Sequence, residues 1–242
     1  MTFDEYRGTV KPIDPFWDTE ISYTRAQAVA MAFDWRSNVS LARETAGVIS
    51  ERVFLGRYLP GQVLVQQRLS EELGVSRTPL REALALLEYE GLLQLDSSGR
   101  ATVTIMDAAD LREALDFREL LESAACDVAI RRISPSMITD LHQALSNPET
   151  ATPNSASKVH LLLLNSSGNR YFQGFSTLVR MTEEVHLPAT ACYAAIAAKL
   201  RILQRGILEH LAEADGQATQ RQVHEYFNEL RNHLAANERP AQ

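Results

Sequence analysis

Arg77 and Arg81 stand four residues apart in Ser76-Arg77-Thr78-Pro79-Leu80-Arg81, a spacing that puts both guanidiniums on one face of a helix, one turn apart. A guanidinium fork matches the O6 and N7 acceptors of guanine, and each such contact discriminates by about 1–3 kcal/mol. Ser76 and Thr78 place hydroxyls beside them, and the first turn of a helix adds backbone donors suited to phosphate. Further along, Arg118 and Glu122 form an i, i+4 pair. From spacing alone that pair reads as exposed and worth about 0.2–0.5 kcal/mol. The sequence has no Ser-His-Asp arrangement, Gly-rich phosphate loop or paired-carboxylate signature, so it reads as a binding protein and not an enzyme.

The elements that must position these residues follow from periodicity. Ala42, Ala46, Ile49 and Val53 recur at helical spacing before Gly56, which reads as a stop signal. Tyr58-Leu59-Pro60-Gly61 reads as a turn, and Gln66–Leu73 as a short helix with Leu69 and Leu73 on one face. Gly74-Val75-Ser76 breaks it, and a new helix starts with Ser76 or Thr78 as cap and Pro79 in its first turn. Leu80, Ala83, Leu84 and Leu87 form its apolar stripe, closed by Gly91. Leu92–Leu95, a polar tip at Asp96–Arg100 and the alternating run Ala101–Ile105 predict a β-hairpin. Three helices and a hairpin, with a tight turn between the second and third helices, make a winged helix-turn-helix. Gly99 and Arg100 then lie at the wing tip, where a cation can enter a minor groove or hold phosphate. Arg52 and Arg57 read as an ordinary solvated face.

From Asp107 onward strand signals disappear. Asp107 or Asp110 can cap a long helix running to about Arg132, with Leu111, Leu115, Ala125 and Ala129 in one row that Arg118 and Glu122 interrupt. The Ser146–Ser157 stretch, rich in Pro, Asn, Thr and Ser, reads as a loop. The expected fold is therefore mainly α: an N-terminal arm at 1–40, a winged helix-turn-helix at 41–106 and an all-helical bundle at 107–242. The arm carries 7 of the 17 aromatic residues, including both tryptophans, which suits a packed segment better than a disordered tail. A short helix is expected there near Ala26–Phe33.

The 242 residues carry 24 basic and 31 acidic side chains, a net charge of −7, which argues against a protein that coats nucleic acid but says nothing of a local basic patch. Residues 41–106 are nearly neutral, with 7 basic and 8 acidic side chains, and every basic one is arginine. The two cysteines, Cys126 and Cys192, sit in apolar, Ala-rich surroundings and read as buried reduced thiols. No run approaches the ~18 apolar residues of a membrane span. The N-terminus lacks the apolar stretch of a signal peptide. The expectation is a cytoplasmic protein.

The run Leu69-Ser70-Glu71-Glu72-Leu73-Gly74-Val75-Ser76-Arg77-Thr78-Pro79-Leu80-Arg81-Glu82-Ala83-Leu84 resembles the DNA-binding domain of GntR-family transcriptional regulators, with Gly56–Gly61 and Leu86–Leu92 as further matches. That family usually has an arginine two residues before Leu69; here Gln67 stands there, with Arg68 beside it. The resemblance implies DNA contacts from Gln67, Arg68, Ser76, Arg77, Thr78, Arg81, Gly99 and Arg100. Asp110–Glu122 and His160–Asn169 resemble segments of the FCD effector domain of FadR-type members. The implied partners are a double-stranded DNA operator, a second copy of the chain and a small organic acid, the last bound near Arg118, Glu122, His160 and Asn169.

Such domains often hold a metal with one Asp and three His. The matching positions here are Ala156, His160, Gln204 and Tyr226, so no metal is expected; a relocated His160, His210 and His224 set is the less favoured option. The expected function is a transcriptional regulator, a repressor, whose operator binding responds to the acid. The alternative is a helical sensor or enzyme that uses the winged helix only to bind proteins.

Overall fold

The computed structural model describes residues 39–146, 153–191 and 193–237; the expected arm helix at Ala26–Phe33 and Cys192 lie outside them. The chain divides into two compact units, Met1–Ile105 and Met106–Gln242.

In the first unit, helix α1 (Val39–Phe54) is followed by strand β1 (Val63–Leu64), helices α2 (Gln66–Leu73) and α3 (Arg77–Tyr89), and strands β2 (Leu93–Leu95) and β3 (Ala101–Val103). Ala42, Ala46, Ile49 and Val53 of α1 and Leu80, Ala83, Leu84 and Leu87 of α3 are all buried where these helices pack. Each buried leucine contributes about 1.5–3 kcal/mol. Gly74 ends α2 in the left-handed conformation (φ 66°) and its amide donates to the Ser70 carbonyl, while the Ser70 hydroxyl donates to the Val75 carbonyl at 2.6 Å. Only a residue without Cβ turns there without strain, and the turn is what aims α3.

The sequence reading needs two adjustments here. Strand β1 was not foreseen: β3 pairs antiparallel with both β1 and β2, giving the order β1-β3-β2. Two residues are too short to show any period, and pairing alone makes them a strand. The hairpin strands are also shorter than expected, ending at Val103 with Ile105 exposed.

In the second unit, helices α4 (Ala108–Ala129), α5 (Pro135–Ser146), α6 (Pro153–Ser166), α7 (Arg170–Gln173) and α8 (Ser176–Arg180) lead into a π-helical turn, Met181–His186, and a 3₁₀ turn, Leu187–Ala189. Helices α9 (Tyr193–Ala212) and α10 (Gly216–Asn237) complete it. Asp107 caps α4 and Asp110 closes a capping box, satisfying the orphan donors of its first turn. The helix stops at Ala129, short of Arg132. Helix α6 starts at Pro153, so the loop expected over 146–157 is too long: proline is favourable in a first turn, and the apolar run that follows carries the helix. Ala214, in the Ala214-Asp215 turn, has φ 56°, a conformation glycine adopts more cheaply.

Candidate nucleic-acid interface and buried polar cluster

Helix α3 presents its N-terminal end openly. Ser76 occupies the cap position with extended backbone but makes no side-chain cap bond, so the helix begins at Arg77 with its first-turn donors free of a serine cap. Ser76, Arg77, Thr78 and Arg81 are all exposed, as are Gln67 and Arg68 on α2. Gln67 is tied to Glu71 at 3.3 Å, an ordinary surface contact within α2. The wing tip is built by Asp96, whose Oδ1 accepts from the Ser98 amide at 2.9 Å, the Ser98 hydroxyl and the Arg100 amide at 2.9 Å. These bonds, the Ser98 hydroxyl first, hold the Asp96 carboxyl below its usual range. Gly99 turns with φ 80°, and the Gln66 side chain donates to its carbonyl, fixing the wing to the start of α2. Arg100 is exposed, with Nε 3.4 Å from Asp96.

Arg57 is exposed as expected, but Arg52 is not. Its side chain is 3% exposed and donates to the Tyr58 hydroxyl at 2.6 Å and to Glu72 at 2.5 Å. Arg52 ties α1 to α2 under the turn that positions α3, which makes it a support and not a contact. Burial raises the Tyr58 phenol against the opposing pull of Arg52.

The helical unit holds a polar cluster in its core. Arg118 is 1% exposed and Glu122, His160, Thr182, Glu183 and Tyr226 are fully buried, so the surface pair expected from i, i+4 spacing lies inside. Arg118 Nε donates to Glu122 Oε1 at 3.0 Å, and Nη1 donates to Thr182 Oγ1 at 2.6 Å and Glu183 Oε1 at 2.7 Å. The guanidinium also sits 5.1 Å from the centre of the Phe227 ring, a favourable cation–π distance. His160 Nδ1 meets Glu122 Oε2 at 2.6 Å; an ionised carboxylate only accepts, so Nδ1 carries the proton. Tyr226 donates to Glu183 Oε2 at 2.7 Å.

Burial alone would raise the Glu122 carboxyl, yet His160 and Arg118 hold it below its usual range. Burial, with the Glu183 charge beside it, pushes the Tyr226 phenol well above its usual value. Cys126 is buried as expected, donates to the Glu122 carbonyl at 3.2 Å, and burial pushes its thiol up to about 12.

The four positions that the resemblance assigns to metal ligands do converge. Gln204 Nε2 lies 3.2 Å from His160 Nε2, 3.3 Å from the Tyr226 hydroxyl and 3.4 Å from the Ala156 carbonyl. The donor set does not fit a metal: one imidazole, a protonated phenol already donating to Glu183, an amide and an alanine fall short of three or more converging ligands. Nor do His210 and His224, the other members of the relocated set, help. His210 faces Glu213 at 3.4 Å, and exposed His224 faces Glu119 at 2.5 Å. Among the described residues, no three His, Cys, Asp or Glu are grouped to hold a metal.

Asn169 is exposed and accepts from the Tyr171 amide as the cap of α7, so it stands apart from the cluster. Thr182 and Glu183 were not legible in the sequence. Nothing in Thr182-Glu183-Glu184 marks which glutamate turns inward, although a buried Arg118 requires counter-charges.

A winged helix-turn-helix with an open, arginine-bearing recognition helix, joined to a helical unit, defines a DNA-binding regulator. Residues 41–103 match the family described as "Bacterial regulatory proteins, gntR family". An HTH-type transcriptional regulator of Bacillus subtilis (strain 168), YdhC, is 28% identical over 197 residues, 77% of this chain and 87% of that one. The gluconate operon transcriptional repressor of Bacillus licheniformis is 28% identical over 111 residues, 46% of this chain and 45% of its own length. The solved structure of McbR/YncC from E. coli shares the fold with a TM-score of 0.68 at 22% identity, covering 83% of this chain and 99% of that one. Residues 41–103 are thus a GntR-family DNA-binding domain, and the chain is a transcriptional regulator. Among the described residues no helix is long and apolar enough to cross a membrane.

Proposed function

We propose that the chain is a cytoplasmic, homodimeric repressor that reads a two-fold operator through Arg77 and Arg81 and has no catalytic role. Gln67, Arg68, Ser76, Thr78, Gly99 and Arg100 supply phosphate and groove contacts around them. The observation that carries this reading is the pair of exposed guanidiniums one turn apart at the open end of α3. Selection from random DNA duplexes tests it: recovery of a two-fold symmetric sequence is expected, and recovery of no preferred sequence overturns it.

The dimer surface is assigned to α4. Besides its buried face, this helix carries a second apolar stripe, with Phe117 39%, Leu120 72% and Val128 40% exposed and Ala124 between them. Exposed apolar stripes of this kind mark partner surfaces, and two half-sites require two copies. Leu120→Glu is expected to convert a micromolar dimer to monomer in sedimentation and to lower operator affinity at least about 10-fold as bivalent binding is lost. A wild-type monomer refutes the assignment.

The helical unit is read as an FCD-type effector domain that works without a metal and whose effector is a small organic acid. The donor set around Gln204 supports the first point, and the permanent cation Arg118 supports the second. Chelator treatment is expected to leave thermal stability and operator affinity unchanged. Stoichiometric zinc or nickel in untagged protein, lost in His160→Ala, contradicts this.

A further inference from the structure

The Arg118 guanidinium already holds a carboxylate that the protein itself supplies. Glu183 fills the place: its Oε1 takes Arg118 Nη1 at 2.7 Å, its Oε2 takes the Tyr226 hydroxyl at 2.7 Å, and it is fully buried. Two donors on two oxygens of one carboxylate is the arrangement by which proteins bind small acids. Glu122 has a different standing. It lies on the same helix as Arg118, four residues on, and is also held by His160 at 2.6 Å.

Glu183 reaches in from the π-helical turn Met181–His186, which passes directly into a 3₁₀ turn. A π-turn accommodates one residue more than the α-helix would, so a change of register rotates a side chain out of the core, and such turns recur at functional sites. The cluster also carries unused hydrogen-bonding capacity. Arg118 Nη2 lies 3.0 Å from Glu122 Oε1 but is not aligned to bond, and Gln204 Oε1 is buried without a partner. Both residues are at most 1% exposed, and a buried orphan costs about 1–3 kcal/mol.

We propose that Glu183 is an internal stand-in for a monocarboxylate ligand, and that the effector carboxylate binds between Arg118 and Tyr226 by displacing Glu183 and rearranging the π-turn. This rests on the effector reading above and adds which internal group the acid displaces and what that displacement moves. Binding is then coupled to the turn, since one carboxylate leaves as another enters and the buried charge stays constant.

The test is carboxylate rescue. Glu183→Ala removes the internal ligand, and its thermal midpoint is followed against sodium acetate and sodium propionate, with sodium chloride at matched ionic strength. Acetate or propionate at tens of millimolar is expected to restore several degrees to Glu183→Ala and to leave wild type nearly unmoved, with no response in Glu183→Ala/Arg118→Met. Glu183→Gln provides a second arm if the alanine variant does not fold: its neutral amide competes poorly for Arg118, so carboxylates should stabilise it more than wild type. Absence of any carboxylate-specific response in a folded variant overturns the proposal. Operator affinity of the rescued variant, measured with and without acetate, separates the two readings. Rescue with unchanged operator affinity upholds the displaced-carboxylate site and removes the claim that it regulates DNA binding.

Discussion

Arg77→Ala and Arg81→Ala are each expected to lose about 10- to 100-fold in operator affinity, the equivalent of one forked guanine contact at about 1–3 kcal/mol. Both side chains are exposed on the first two turns of α3, so the losses come without unfolding. Non-specific affinity should fall much less, because a single cation contributes only one phosphate's worth of counterion release. Titration of operator and scrambled duplexes at fixed salt measures both, with circular dichroism to verify the fold. Equal losses on the two duplexes would make these arginines phosphate contacts and move base reading elsewhere.

Arg118→Ala is expected to be the most damaging single substitution in the helical unit. It strands Glu122 and Glu183, both fully buried, and breaking a buried pair from one side costs about 3–5 kcal/mol. For a unit of this size the unfolding midpoint should fall by roughly 10 °C. Removing all three charges together, with Arg118→Met, Glu122→Gln and Glu183→Gln, should recover much of the loss, because no charge is then left unpaired.

The acid response gives an independent check. In wild type, the Glu122 carboxyl is held below its ordinary value. Its contribution is therefore complete above the unfolded value near 4.3 and disappears as pH falls through the folded value. Arg118→Ala removes one of the two cations that hold the Glu122 carboxyl down and leaves His160, so less of that contribution remains to be lost, and the deficit of the variant should shrink as pH falls through the unfolded value near 4.3. A deficit that is flat with pH would mean the lost stability is packing alone.

These two arginine sites differ in how far the sequence exposes them. At α3 the apolar stripe Leu80, Ala83, Leu84 and Leu87 settles which face is buried, and Arg77 and Arg81 fall off that stripe. Helical period alone therefore makes them surface residues, as found. At α4 the period puts Arg118 and Glu122 on the row of Leu111, Leu115, Ala125 and Ala129, and their charge argues for the surface. The row wins, because the compensating groups come from other elements. Arg52 repeats the pattern on a smaller scale: its position in α1 looks solvated until Tyr58 and Glu72, 6 and 20 residues on, close over it.

What the sequence by itself determined is most of the DNA-binding unit: the helices, the Gly74 turn and the β2–β3 hairpin carry periods and turn residues that record short-range structure directly, whereas β1 exists only through its pairing with distant β3. What the tertiary structure decided is the helical unit's interior. Glu183 stands 65 residues from Arg118, and Gln204 stands 44 from His160. Buried charges are tolerated only where partners of the right sign and geometry converge, and convergence across five elements leaves no periodic trace in the chain. The same physics selected Glu183 over Glu184: whichever glutamate the π-turn points at the guanidinium becomes its counter-ion, and the direction of that turn is set by packing, not by residue type.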